Sequence, residues 1–225
     1  MSKKLNTTEV PDPGNSGVKK VITPGNVVVK INDVTFDKTP FDDESWNIHI
    51  HVETKPMGED FEGFLISKDD TEGKRYLGQV GRIRASEYTF KDSIIKSGTK
   101  ATSISRDSEV LKFMKAFCKN IGALDWFIGQ SDIHDTMEEF MTQFQKDAPF
   151  KNKWYETCLA GKGYNNKDNF LNYDLFFPRF TKDKTPIEIV DTEPSALITF
   201  NSEIHIKMPK TKKVAAEKDE DFDLL

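Results

Sequence analysis

Residues 45–54, SWNIHIHVET, alternate in character without a break: Trp46, Ile48, Ile50 and Val52 fall on one side, Asn47, His49 and His51 on the other. A two-residue period of this kind predicts a β-strand with one face in a core and the other in water. The segment before it, NVVVKINDVTF (26–36), carries Val27, Val29, Ile31 and Val34 at strand spacing. After it come FEGFLI (61–66), a short apolar run, and RYLGQVGRIRAS (75–86), read as one strand interrupted by Gly78 and Gly81. Glycine inside a strand permits a bend, a bulge or the close approach of another group.

The period then lengthens. In SEVLKFMKAFCKNIG (108–122), Val110, Met114, Phe117 and Ile121 recur at helical spacing, with Ser108 as the expected N-cap and Gly122 as the stop. A second helix is expected in DIHDTMEEFMTQFQKD (132–147) from Ile133, Met137, Phe140, Met141 and Phe144, ending ahead of Pro149. Strand-like segments return in KWYETCLA (153–160), NFLNYDLFFPRF (169–180) and ALITFNSEIHI (196–206), the first two joined by the turn-rich KGYNNKDN. The expected fold is therefore mainly β with a helical excursion at about 104–148. Its strand order suits a five-stranded OB-like barrel with helices between strands 3 and 4. The expected organisation is a flexible arm over 1–25, one domain over 26–208, and a spacer with an acidic tail over 209–225.

Of 225 residues, 31% are charged and 36% hydrophobic, but 17 are Phe, so aromatic side chains must supply much of the packing or a binding surface. No apolar run is long enough for a membrane span, and MSKKLNTTEV lacks a signal-type hydrophobic stretch, so a cytoplasmic protein is expected. Cys118 and Cys158 stand alone in apolar surroundings and read as free buried thiols. No nucleophile elbow, zinc-protease helix, phosphate loop or dinucleotide fingerprint occurs, so no catalytic residue, cofactor or metal is assigned. His49 and His51 share a strand face without a placed acidic or thiol partner. The Asp-rich FDDES (41–45) and SKDDTEG (67–73) read as turns, with a metal-dependent nuclease as the rival reading.

The final nine residues, EKDEDFDLL, hold five carboxylates against one lysine. They thus carry −4 of the net charge of −5 and leave the first 216 residues at −1. Phe222, Leu224 and Leu225 add nothing to a purely solubilising tail, so Asp219, Glu220, Asp221, Phe222, Asp223, Leu224 and Leu225 read as a docking peptide on the spacer PKTKKVAA. Two segments combine cations with aromatics as single-stranded nucleic acid requires. In residues 75–93, Arg82 and Arg84 must point to the same side, opposite Ile83, with Tyr88, Phe90 and Lys91 following. In residues 162–180 the candidates are Tyr164, Lys167, Phe170, Phe176 and Arg179. Alternation sets Phe170 and Phe176 on one face, where they are expected to offer stacking surfaces.

The segments YLGQVGRIRAS (76–86) and YNNKDNFLNYDLFFP (164–178), together with the acidic tip, resemble the OB-fold single-stranded DNA-binding proteins of bacteriophage replication, those of large tailed gut phages in particular. The resemblance implies a non-enzymatic protein of the host cytoplasm. Its groove would coat single-stranded DNA, and its tail would recruit replication proteins such as polymerase or helicase and compete with DNA for the groove. A protein-interaction or virion-associated module is the other rival reading.

Overall fold

The computed structural model describes residues 20–40, 42–65, 75–97, 100–167 and 169–208. In chain order its elements are β1 (Gly25–Thr39), β2 (Asp42–Thr54), β3 (Phe64–Leu65), β4 (Arg75–Tyr76), β5 (Val80–Arg84), β6 (Ser93–Ser97) and β7 (Lys100–Ile104). The helices α1 (Arg106–Asn120), α2 (Leu124–Gly129) and α3 (Met137–Asp147) follow. The chain continues with β8 (Tyr155–Asn165), β9 (Leu171–Phe176), β10 (Ile187–Ile189), α4 (Ser202–His205) and β11 (Ile206–Lys207).

Five strands form a ring. β1 pairs with β2, β2 with β5, β5 with β9, β9 with β8, and β8 with β1; all are antiparallel except β5 with β9. Ile48, Ile50 and Val52 of β2, Ile83 of β5 and Leu175 of β9 are buried as alternation requires. β1 would lose its alternation halfway, because Val29 and Ile31 are odd-numbered whereas Val34 is even. A bulge between Ile31 and Asp33 corrects the phase, so all three are buried. β10 and β11 extend the sheet on β8. Gly78 is required by a close approach, since a Cβ there would lie 2.5 Å from the Thr54 carbonyl oxygen.

The three longer helices occur between β7 and β8. α1 buries Val110, Met114, Phe117 and Cys118, with Ile121 at its end, and α3 buries Met137, Phe140, Met141 and Phe144. Phe117 meets Phe113, Phe144 and Phe177 at ring-centroid distances of 5.5, 6.3 and 6.5 Å, so one apolar cluster runs from the strand ring into the helical layer. The rings of Phe117, Phe144 and Phe177, which are buried, each contribute about 1.5–3 kcal/mol of transfer free energy.

Several expectations need correction. Ser105, not Ser108, caps α1, and its hydroxyl accepts from the Ser108 amide at 3.2 Å. The helix therefore starts one turn earlier, a shift that both serines satisfy equally well on sequence grounds. Ile133 is outside α3 and 63% exposed. RYLGQVGRIRAS forms two strands, β4 and β5, rather than one. ALITFNSEIHI is largely irregular and ends in α4 and β11, with Leu197 in an isolated bridge to Thr185. Cys118 and Cys158 are both free and buried, and burial pushes their thiols up to about 12 and about 11.

Candidate nucleic-acid interface

The outward face of the ring is built from residues that alternate with the core. On β2 these include His49 and His51; on β5, Arg82 and Arg84. The strands set His49 opposite Arg84 and His51 opposite Arg82, while Ile83 between the arginines is buried. Parallel pairing sets Phe176 of β9 beside Arg84, and antiparallel pairing sets Ala160 and Lys162 of β8 against Phe176 and Asp174. Four strands thus contribute to one surface, with the two guanidiniums near its middle. Among the described residues neither Arg82 nor Arg84 enters an ion pair. Burial is the main force lowering the pKa of His49. Arg82 adds to that, and the Asp37 carboxylate, 3.4 Å from Nδ1, opposes it.

At one end of this surface is the β8–β9 turn. The Phe170 amide donates to the Asn166 side chain at 2.8 Å, and Asn169 adopts a positive φ of 61°, the local bonding and left-handed backbone that Asn supports in tight turns. The turn carries Tyr164, Lys167 and Phe170, all exposed, with Phe170 at 69%. At the other end β5 and β9 run into a cavity of about 610 Å³. It is lined by Ala85–Lys91, by Glu109, Lys112, Phe113 and Ala116 of α1, and by Phe176–Phe180. The Phe177 amide donates to the Arg84 carbonyl at 3.0 Å, which ties the two strand exits together at its edge. Tyr88 is 72% exposed, Phe90 is half-buried against Phe113, and Lys91 and Arg179 are exposed.

The structure therefore groups the residues singled out in the sequence into three places rather than one: a turn with Tyr164, Lys167 and Phe170, a central strip with Arg82 and Arg84, and a cavity with Tyr88, Phe90, Lys91, Phe176 and Arg179. Phe170 and Phe176 are six positions apart, so about 20 Å of extended chain, most of it β9, links the outer two. Phe176 does not offer the outside stacking face expected of it. It is 5% exposed and forms part of the cavity wall. The acidic residues Asp219, Glu220, Asp221, Phe222, Asp223, Leu224 and Leu225 lie outside the described residues.

Sequence reasoning did not single out Phe113, which falls outside the stripe Val110, Met114, Phe117 and Ile121 and lines the cavity from α1. It also left His49 and His51 unassigned, although their alternation with Ile48 and Ile50 already set them on the exposed face. Among the described residues no group of three or more His, Cys, Asp or Glu is arranged to hold a metal ion, and no helix is long and apolar enough to cross a membrane. No family model, curated protein or solved structure matches the chain.

Proposed function

We propose that this is a single-stranded DNA-binding protein of OB type that acts by coating unpaired strands, without catalysis. The observation that carries the reading is the pair Arg82 and Arg84, outward-facing and in no ion pair among the described residues, between an aromatic turn and an aromatic cavity. Strand order supports the fold assignment. β1, β2 and β5 are consecutive neighbours, β8 returns beside β1 as in a Greek key, and β9 completes five strands with the three longer helices between the third and the fourth. In such a fold the face of the second and third strands and the loop between the fourth and fifth receive oligonucleotides. Those are the places of His49, His51, Arg82 and Arg84, and of Lys167 and Phe170. Guanidiniums would neutralise phosphates while rings stack on bases, a sequence-tolerant mode.

In this proposal Asp219–Leu225 recruit replication proteins such as polymerase or helicase, and the carboxylates compete with DNA as a tethered anion. The test is fluorescence anisotropy with labelled oligo(dT) and with a duplex of equal length at two salt concentrations. Affinity for oligo(dT) is expected to exceed that for duplex and to fall with salt at about 0.7 counterion per neutralised phosphate. Deleting 217–225 is expected to tighten oligo(dT) binding, most at low salt. Equal affinity for duplex, or none for oligo(dT) at low salt, overturns the proposal in favour of a protein-interaction module.

A further inference from the structure

We propose that the cavity beyond the end of β5 receives a single unstacked nucleobase, with Lys91 and Arg179 at its rim taking the attached phosphates. The inference rests on the single-strand reading above and assigns a subsite to it. The walls are the first argument. Phe90, Phe113, Phe176 and Phe180 all line the space, with Phe113 at 5.9 Å from Phe90 and 5.7 Å from Phe180 between ring centroids. A volume of about 610 Å³ lies within the range of roughly 300–1,000 Å³ typical of ligand sites, ample for one base. Aromatic walls favour a planar π system, whose faces and edges they match.

Charge makes the choice narrower. Two carboxylates and three cations belong to the lining, but Glu109 is paired with Lys112 at 2.8 Å and Glu87 is paired with Lys207. Among the described residues neither Lys91 nor Arg179 is held in a salt bridge, although Lys91 acts electrostatically on the Asp42 carboxylate from further off, so the rim has two cations without a direct carboxylate partner. A planar apolar group attached to an anion is what a nucleotide within a strand offers. Position supplies the last argument. Ala85 of the lining directly follows Arg84, and Phe176 of the wall is paired with Arg84 across the sheet, so a strand held by Arg82 and Arg84 arrives at the cavity mouth.

Ala116 lines the cavity from α1, and Ala116→Phe fills it while removing no cation. In the full-length protein this variant is expected to weaken oligo(dT) binding by about 5- to 150-fold, the range of one lost base stack, with the salt slope unchanged. An oligonucleotide of the same length made of abasic residues is expected to bind variant and wild type alike. A second measurement needs no filled cavity. In wild-type protein carrying fluorinated phenylalanine, the Phe113 resonance, assigned by its loss in Phe113→Leu, should shift with oligo(dT) and stay put with the abasic strand. Wild-type binding to oligo(dT) with no Phe113 shift, or undiminished binding by a folded Ala116→Phe, overturns the subsite and leaves the single-strand reading standing. Failure of wild type to bind oligo(dT) overturns both.

Discussion

Phe170, in the turn just before β9, and Phe176, the last residue of β9, are six positions apart, yet the first is 69% exposed and the second 5%. Alternation decides which way a side chain points; the elements beyond the strand decide whether anything covers it. At the β8–β9 turn nothing in the described chain closes over the ring of Phe170. At the other end the segment 85–91 and the residues after β9 enclose a cavity in which Phe176 forms a wall. One end thus presents its ring to solvent, and the other holds its ring within walls.

The contrast breaks most directly on stability. Phe176→Ala is expected to lower unfolding free energy by about 3–5 kcal/mol, the range for removing a buried aromatic ring, as read from urea denaturation. Phe170→Ala should leave stability within about 0.5 kcal/mol, as exposed substitutions do. It should instead weaken oligo(dT) binding by about 1–3 kcal/mol at an unchanged salt slope. Equal destabilisation by the two substitutions would remove the distinction between the ends, and with it the stacking role of Phe170.

How much of this was legible in the sequence varies with element length. SWNIHIHVET and the two helical stripes announce themselves, because seven or more residues repeat one period and the core enforces it on Ile48, Ile50, Phe117 and Phe144 alike. The β6–β7 hairpin escaped, though Ile94, Ile95, Thr102 and Ile104 flank a Ser-Gly-Thr turn signal: each strand has only five residues, and Ile94 is 67% exposed rather than packed. β10, at three residues, is too short for any period. Phe176 was misjudged because periodicity contains no information about what lies above a strand face. Arg82 and Arg84 were legible for the opposite reason. Ile83 between them had to be inside, and a strand has only one other side.

The middle of the surface separates charge from stacking. Arg82→Ala combined with Arg84→Ala is expected to reduce the slope of log affinity against log salt by about 1.4, two phosphates at about 0.7 each, while base-dependent affinity differences persist. The slope is read from oligo(dT) titrations at four salt concentrations. A parallel line of lower affinity would mean that the arginines support the fold rather than the phosphates.

The smallest effect expected belongs to His49, opposite Arg84. Burial, aided by Arg82 and opposed by Asp37, holds its pKa below the usual 6.5. Folding therefore favours the neutral ring, so this contribution to stability is complete above pH 6.5 and is lost as pH falls through the lower folded value. A phosphate brought onto the same strip acts in the other direction, because it stabilises the imidazolium. Binding should then take up a fraction of a proton, and oligo(dT) affinity should rise as pH falls from 7.5 to 6.0, by about two- to threefold. The neighbouring His51 is a second imidazole on the strip, paired with Arg82 across the strands, so the wild-type rise alone assigns nothing. The comparison that does is His49→Gln, which keeps a polar side chain of similar length but cannot titrate. A smaller pH response in that variant places His49 within reach of the phosphate backbone, whereas an identical response removes it from the interface.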